Sequence, residues 1–156
     1  MSAARRWGRR RLLPAAGDPL FVYGTLQYPE VLNELIGRTP ELEPAQVSGR
    51  RAAALPDRVY PGLVTATGAV THGFLLRGLT AGEWQVLDAF EDDEYDLTPV
   101  SAHAGECEVY AWTYTWKAEA LEQDWSVPVF TADHLPYYAA KCAAWRRELV
   151  LLTGTV

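Results

Sequence analysis

Apolar residues fall in short runs and stripes along this chain, and the changes in their spacing mark out its elements. Leu20, Phe21, Val22 and Tyr23 form an unbroken apolar run between Pro19 and Gly24, the pattern of a short buried strand. The spacing then lengthens. Val31, Leu32, Leu35 and Ile36 make one helical stripe over residues 29–36, with Pro29 suited to the first turn and Gly37 to the stop. Pro40, Pro44, Pro56 and Pro61 divide residues 38–68, so only short strands are expected there, over 46–52 and 62–66. A better strand candidate follows over 69–79, where Gly73 implies a bulge or a close backbone approach.

Thr80 and Glu83 have the spacing of a capping box, and Trp84, Leu87 and Glu91 follow at i, i+3 and i+7. Those positions share one side of a helix, so Glu91 is expected on the face turned to the core. Residues 95–100 return to extended chain, with Pro99 favouring an edge or a bulge. In CEVYAWTYTW, residues 107–116, Val109, Ala111, Thr113 and Thr115 face one way and Tyr110, Trp112, Tyr114 and Trp116 the other. Both faces are largely apolar, as in a sheet closed into a barrel or covered on both sides. A loop is expected over 121–130 and a last helix over about 131–149, burying Leu135, Tyr138, Cys142, Trp145 and Leu149. Strands and helices thus alternate without the regular rhythm of a doubly wound sheet. The predicted fold class is α+β, a small mixed β-barrel with flanking helices.

A chain of 156 residues holds one domain with its own core. That domain is expected over 18–150, between a basic arm at 1–17 and a tail at 151–156. Arg5, Arg6, Arg9, Arg10 and Arg11 lie in the arm, leaving nine basic against twenty acidic residues in the rest of the chain. A body this acidic is a poor match to duplex nucleic acid, whose binding rests on neutralising phosphates. No apolar run approaches the length of a bilayer span, and the segment after the arm is too short and broken for a secretory leader. Cys107 and Cys142 set no disulfide framework. A cytoplasmic protein without nucleic-acid or membrane partners is expected, as a monomer or weak homodimer.

Two segments carry candidate chemistry. At the end of the first strand, Gly24, Thr25 and Leu26 offer successive backbone N–H donors, and convergent amides can hold a carboxylate without a charged side chain. Between positions 83 and 96 lie seven acids and no base. Most are ordinary solvated charges, whereas partial desolvation beside Trp84 and Leu87 is expected to raise the pKa of Glu91, and Asp88 to reinforce that shift. His72, His103 and His134 are scattered, and no structural zinc spacing exists. Cys142 and His134 would sit about 12 Å apart along one helix, too far for a nucleophile and its base. No metal or organic cofactor is expected.

LFVYGTL at 20–26 together with LDAFEDDEY at 87–95 resembles the gamma-glutamylcyclotransferase-like superfamily, in particular its AIG2-like branch. DRVYPGLV at 57–64 and the aromatic strand near 110–116 are similar as well. The resemblance implies release of 5-oxoproline from a small gamma-glutamyl amine or peptide, an acyltransferase or lyase type of reaction without cofactor. It implies that Tyr23, Gly24, Thr25 and Leu26 hold the glutamyl portion, that Glu91 is the general base and acid, and that Tyr95 shapes the pocket. One feature departs from the pattern: relatives carry arginine just after this tyrosine, where this chain has Asp96-Leu97-Thr98. The ion pair of that arginine is then absent or supplied by Arg50, Arg51 or Arg58. The other reading is a non-catalytic, regulatory protein that keeps the same carboxylate pocket.

Overall fold

The computed structural model describes residues 13–153. Most of the arm expected at 1–17, and the last three residues of the tail, lie outside the described residues. Within the remainder of the arm, Leu13 packs against the core and the Gly17 amide donates to the Leu79 carbonyl at 2.9 Å.

Five strands close into a barrel in the order β1, β3, β2, β4, β5. They are β1 (Leu20–Val22), β2 (Leu42–Ala53), β3 (Gly62–Leu76), β4 (Tyr95–Ala104) and β5 (Cys107–Trp116). Helices α1 (Pro29–Ile36), α2 (Ala81–Phe90), α3 (Val127–Asp133) and α4 (Leu135–Thr153) flank it. Alternation on the strands sorts two cores. Phe21, Tyr23, Ala45, Val47, Leu63, Leu75, Ala102 and Ala111 fill the lumen. Leu20, Val22, Leu76, Tyr114 and Trp116 join an outer core with Val31, Leu32 and Leu35 of α1, Trp84 and Leu87 of α2, and Leu135, Tyr138 and Cys142 of α4. The two apolar faces read from the sequence of β5 are therefore one lumen face of small residues and one helix-covered face of aromatics, leaving only Tyr110 far out in solvent at 77% exposure.

The short strands expected over 46–52, 62–66 and 69–79 are instead two long, bent strands. Between the pairs Ser48↔Val70 and Arg50↔Thr65, β2 advances two residues and β3 five. Gly49 (φ 80°) and Gly68 (φ 82°) adopt left-handed backbone at this bulge, which bends the hairpin without ending it. The bulge also flips the inward phase of β2, from Ala45 and Val47 before it to Ala52 after it. Pro56 and Pro61 lie in the connection between the two strands, where they break nothing. Gly73 is no bulge. It pairs in register with Ala45, and a Cβ there would fall 2.2 Å from the Val22 carbonyl oxygen, so β1 and β3 approach too closely for any side chain.

Both features of the capping box form: the Thr80 hydroxyl accepts from the Glu83 amide at 3.1 Å, and a Glu83 carboxylate oxygen accepts from the Thr80 amide at 3.0 Å. The helix then stops at Phe90. Glu91 is its C-cap, with extended backbone (φ −68°, ψ 147°), so the helical phase that placed Glu91 on the core face is corrected: the chain has already left the helix. Part of the expected loop at 121–130 is helix α3, capped by Ser126, whose hydroxyl accepts from the Val129 amide at 3.2 Å. The single last helix is split at His134, because Pro136 has no N–H to give to the preceding turn and is tolerated only at the start of α4.

Gly73→Ala is expected to destabilise the protein by about 1–3 kcal/mol or more, whereas Gly82→Ala, whose Cβ meets nothing nearer than 4.0 Å inside α2, gains roughly 0.5–1 kcal/mol. Urea unfolding of both variants checks this, and equal effects would contradict the close approach of β1 to β3.

Candidate functional site

Strand β1 is too short to line the barrel from end to end, and the chain uses the residue after it to complete the wall. The Tyr23 hydroxyl donates to the Tyr114 carbonyl of β5 at 2.6 Å and accepts from the Leu63 amide of β3 at 3.1 Å. It therefore stands in for a strand-to-strand bond across the seam where those strands part. Burial, with the nearby Glu91 charge adding to it, pushes the Tyr23 pKa well up, so the phenol keeps its proton. Of the residues expected to bind substrate, Tyr23 thus has its hydroxyl committed to this pin.

Beyond the pin, Gly24 lies against Pro61, where a Cβ would meet ring carbons at 2.7 and 2.9 Å. A 3-10 turn, Thr25–Gln27, follows, closed by the Gln27 amide donating to the Gly24 carbonyl at 3.2 Å. The Gln27 side chain holds the loop from behind by donating to the Tyr23 carbonyl at 2.9 Å. As the opening residues of a short helical turn, Gly24, Thr25 and Leu26 have N–H groups with no partner in the turn itself. None of the three donates a backbone hydrogen bond among the described residues.

These residues form one wall of a narrow pocket with a cavity volume of about 30 Å³. Phe90, Glu91 and Asp92 form another wall, Tyr95, Tyr114 and Tyr138 line it further, and Tyr60 and Pro61 complete it. Glu91 is half-buried, and its charge is felt by Tyr95, Tyr138 and Cys142 as well as by Tyr23. The structure thus brings all six expected residues, Tyr23, Gly24, Thr25, Leu26, Glu91 and Tyr95, to one cavity. Tyr95 is buried and donates its hydroxyl proton to the Pro61 carbonyl, fixing the connection that packs on Gly24. Burial pushes the Cys142 thiol up to about 12, with the charges of Glu34 and Glu91 adding to it, which leaves no thiolate for nucleophilic work.

The acids of the run at 83–96 have distinct fates. Glu83 pairs with Arg38 at 2.6 Å, and Asp88 is buried and accepts from the Tyr114 hydroxyl at 2.9 Å. Asp92 accepts from the Tyr60 hydroxyl at 2.7 Å and from the Glu94 amide at 3.0 Å. Arg58 lies 3.7 Å from Asp92 and 3.0 Å from Glu94, with its guanidinium 5.0 Å from the Trp116 ring centre. Among Arg50, Arg51 and Arg58, it is therefore Arg58 that pairs with the acids following α2. Arg51 is committed instead to Asp124 and the carbonyls of residues 121–123. Among the described residues, no group of three or more His, Cys, Asp and Glu side chains is arranged to hold a metal ion.

The family model for gamma-glutamyl cyclotransferase, AIG2-like, matches residues 20–129, which contain both the amide loop and Glu91. The chain belongs to the AIG2-like gamma-glutamyl cyclotransferase family. It is 39% identical to AIG2-like protein C of Arabidopsis thaliana over 104 residues, 65% of this chain and 60% of that protein. To AIG2-like protein D of the same plant it is 33% identical over 119 residues, 67% of this chain and 78% of that one. The chain spans only 45% to 60% of the length of AIG2-like proteins A, B and C. An Arabidopsis thaliana protein solved in solution superposes with a TM-score of 0.63 at 30% identity, over 80% of this chain and 87% of that one. A gamma-glutamyl cyclotransferase structure shares the fold, with a TM-score of 0.58 at 14% identity over 82% and 87% of the two chains.

For this AIG2-like chain, sequence reasoning missed Tyr60, Pro61, Phe90, Asp92, Tyr114 and Tyr138 as pocket residues. Tyr60 and Pro61 stand in the DRVYPGLV segment, whose similarity to the family was a usable signal. Tyr138 read only as one buried position in a helical stripe.

Burial opposes ionisation of Asp92, but the Glu94 amide, the Tyr60 hydroxyl and the Arg58 charge outweigh it and hold its pKa below the ordinary 3.8. A carboxylate depressed on folding stabilises the protein above its unfolded pKa and loses that contribution as pH falls through the folded value. The stability difference between wild type and Asp92→Asn is therefore expected to be constant from neutrality to about pH 5 and to shrink below about pH 4. Denaturant titrations across that range check it; a difference that does not change with pH would contradict the network.

Proposed function

We propose that the protein is a cofactor-independent gamma-glutamyl cyclotransferase, acting in the cytoplasm as a monomer or weak homodimer and releasing 5-oxoproline from a small gamma-glutamyl amine or peptide. The observation that carries this reading is the shared pocket, with Glu91 on one wall and, on another, the amides of Gly24, Thr25 and Leu26, which have no partner among the described residues. Membership of the family is consistent with it.

In this reading the substrate supplies its own nucleophile, so the protein needs no activated Ser or Cys. The loop amides hold the α-carboxylate, and the aromatic walls fold the glutamyl chain so that its α-nitrogen faces its own γ-carbonyl carbon. Glu91 accepts a proton from the α-ammonium, which frees the nitrogen lone pair to attack. A bond forms between that nitrogen and the γ-carbon, and negative charge gathers on the carbonyl oxygen. Glu91 passes this proton to the leaving nitrogen, and the bond to that nitrogen breaks as the ring nitrogen gives up a second proton and becomes a lactam N–H. The second proton also ends on the departing amine, so the products are 5-oxoproline and the amine as its ammonium ion, with no water consumed and no net proton gained. Positioned proton transfer of this kind contributes about 10²–10⁴-fold in rate.

Purified protein incubated with gamma-glutamyl derivatives of alkylamines, diamines and amino acids is expected to release 5-oxoproline, measured by chromatography. Glu91→Gln is expected to lower turnover by at least about 10²-fold with the unfolding transition retained. Binding of these compounds without any product would favour the non-catalytic reading instead.

A further inference from the structure

Five tyrosines line the pocket: Tyr23, Tyr60, Tyr95, Tyr114 and Tyr138. Four have given their hydroxyl protons to acceptors of the protein. Tyr23 donates to the Tyr114 carbonyl, Tyr60 to Asp92, Tyr95 to the Pro61 carbonyl and Tyr114 to Asp88. Tyr138 is different. Its residue is only 8% exposed, and its hydroxyl oxygen accepts from the Thr25 hydroxyl at 3.4 Å, yet its own proton goes to no acceptor among the described residues. The ring cannot readily turn away, because it is held edge-on by Phe90 (centroids 6.2 Å, 86°) and by Phe130 (5.5 Å, 72°).

A buried hydroxyl with an unspent proton facing a cavity is costly unless something in the cavity accepts it. We propose that Tyr138 is a further catalytic residue, donating a hydrogen bond to the γ-carbonyl oxygen of the substrate, and that Thr25 is its positioning residue. This inference rests on the cyclotransferase reading above. Three considerations select that oxygen. In the cyclotransferase reading the loop amides take the α-carboxylate. Tyr138 and Glu91 line the same narrow cavity, so the hydroxyl and the base face one bound substrate. Burial first, and then neighbouring negative charge, pushes its pKa well up, so it remains a proton donor throughout the physiological range. The arrangement forms a chain, Thr25 hydroxyl to Tyr138 hydroxyl to substrate oxygen, in which the first bond polarises the second. A donor aimed where charge develops acts on the transition state more than on the bound substrate.

Tyr138→Phe keeps the ring and removes only the hydroxyl, so its unfolding transition is expected to stay close to that of wild type. Its kcat is expected to fall by about 10²–10³-fold with KM little changed. Thr25→Val is expected to lose less, Thr25→Ser to be more active than Thr25→Val, and the double variant Tyr138→Phe with Thr25→Val to be no worse than Tyr138→Phe alone. Calorimetry with 5-oxo-L-proline supplies a readout that does not need turnover: Tyr138→Phe is expected to weaken binding by about threefold to tenfold. If wild type releases 5-oxoproline and Tyr138→Phe keeps kcat to within about twofold, the inference is overturned while the proposed function stands. If wild type binds 5-oxo-L-proline but turns nothing over, the cyclotransferase reading fails; weaker binding by Tyr138→Phe then supports the hydroxyl contact, and unchanged binding overturns it. Absence of both turnover and binding in wild type overturns both.

Discussion

The seam between β3 and β5 is the constraint on which the rest of this structure depends. Strand β1 covers only three residues of it, pairing with β3 along its whole length and with β5 at Leu20↔Trp112. Four further bonds complete the closure: the Trp112 amide to the Pro19 carbonyl at 3.0 Å, the Thr113 hydroxyl to the Phe21 carbonyl at 2.8 Å, and the two by which the Tyr23 hydroxyl bridges both neighbouring strands. Buried backbone groups must find partners, and a side chain supplies them where the strand has run out. The next residue is Gly24. The device that closes the barrel also delivers to the wall of the cavity three amides that are unpaired among the described residues, at a position fixed by Pro61 on one side and Gln27 on the other.

The acidic run after α2 completes the site by sorting like charges into unlike surroundings. Asp92 is neutralised by a phenol, an amide and a guanidinium; Asp88 is buried behind the pocket against Tyr114; Glu83 caps its own helix and pairs with Arg38. Glu91 sits where the chain turns off the helix and lines the cavity. Arg58, in the connection between β2 and β3, reaches Asp92 and Glu94, so a chain with Asp96 where the resemblance implies an arginine still pairs a cation with acids that follow α2.

Much of this was legible because local signals and packing agreed. The capping box at Thr80 and Glu83, the stripe of α1, the alternation of β5 and the buried stripe of α4 all express periods that the buried surface then uses. The strands around the bulge were not legible, since Gly49 and Gly68 look like breakers in isolation and act as bends only when two strands pair across them. Glu91 was placed at the site for a reason that does not hold: helical phase pointed it inward, whereas the turn after Phe90 does so. Gly24 was legible as a backbone donor at the end of the first strand, but the obstacle that excludes a side chain there, Pro61, lies 37 residues away in sequence and no local pattern announces it. Tyr138 was invisible as a pocket residue for the same reason, because only the packing of α4 on the end of α2 brings it beside Thr25.

The central claim is that the amides of Gly24, Thr25 and Leu26 form a receptor for the carboxylate of a glutamyl group facing Glu91. Amide chemical shifts during titration with 5-oxo-L-proline test it most directly. The account predicts that the proton resonances of these three amides move downfield together as the ligand saturates the pocket. Unmoved resonances at all three positions while ligand binds elsewhere would contradict it.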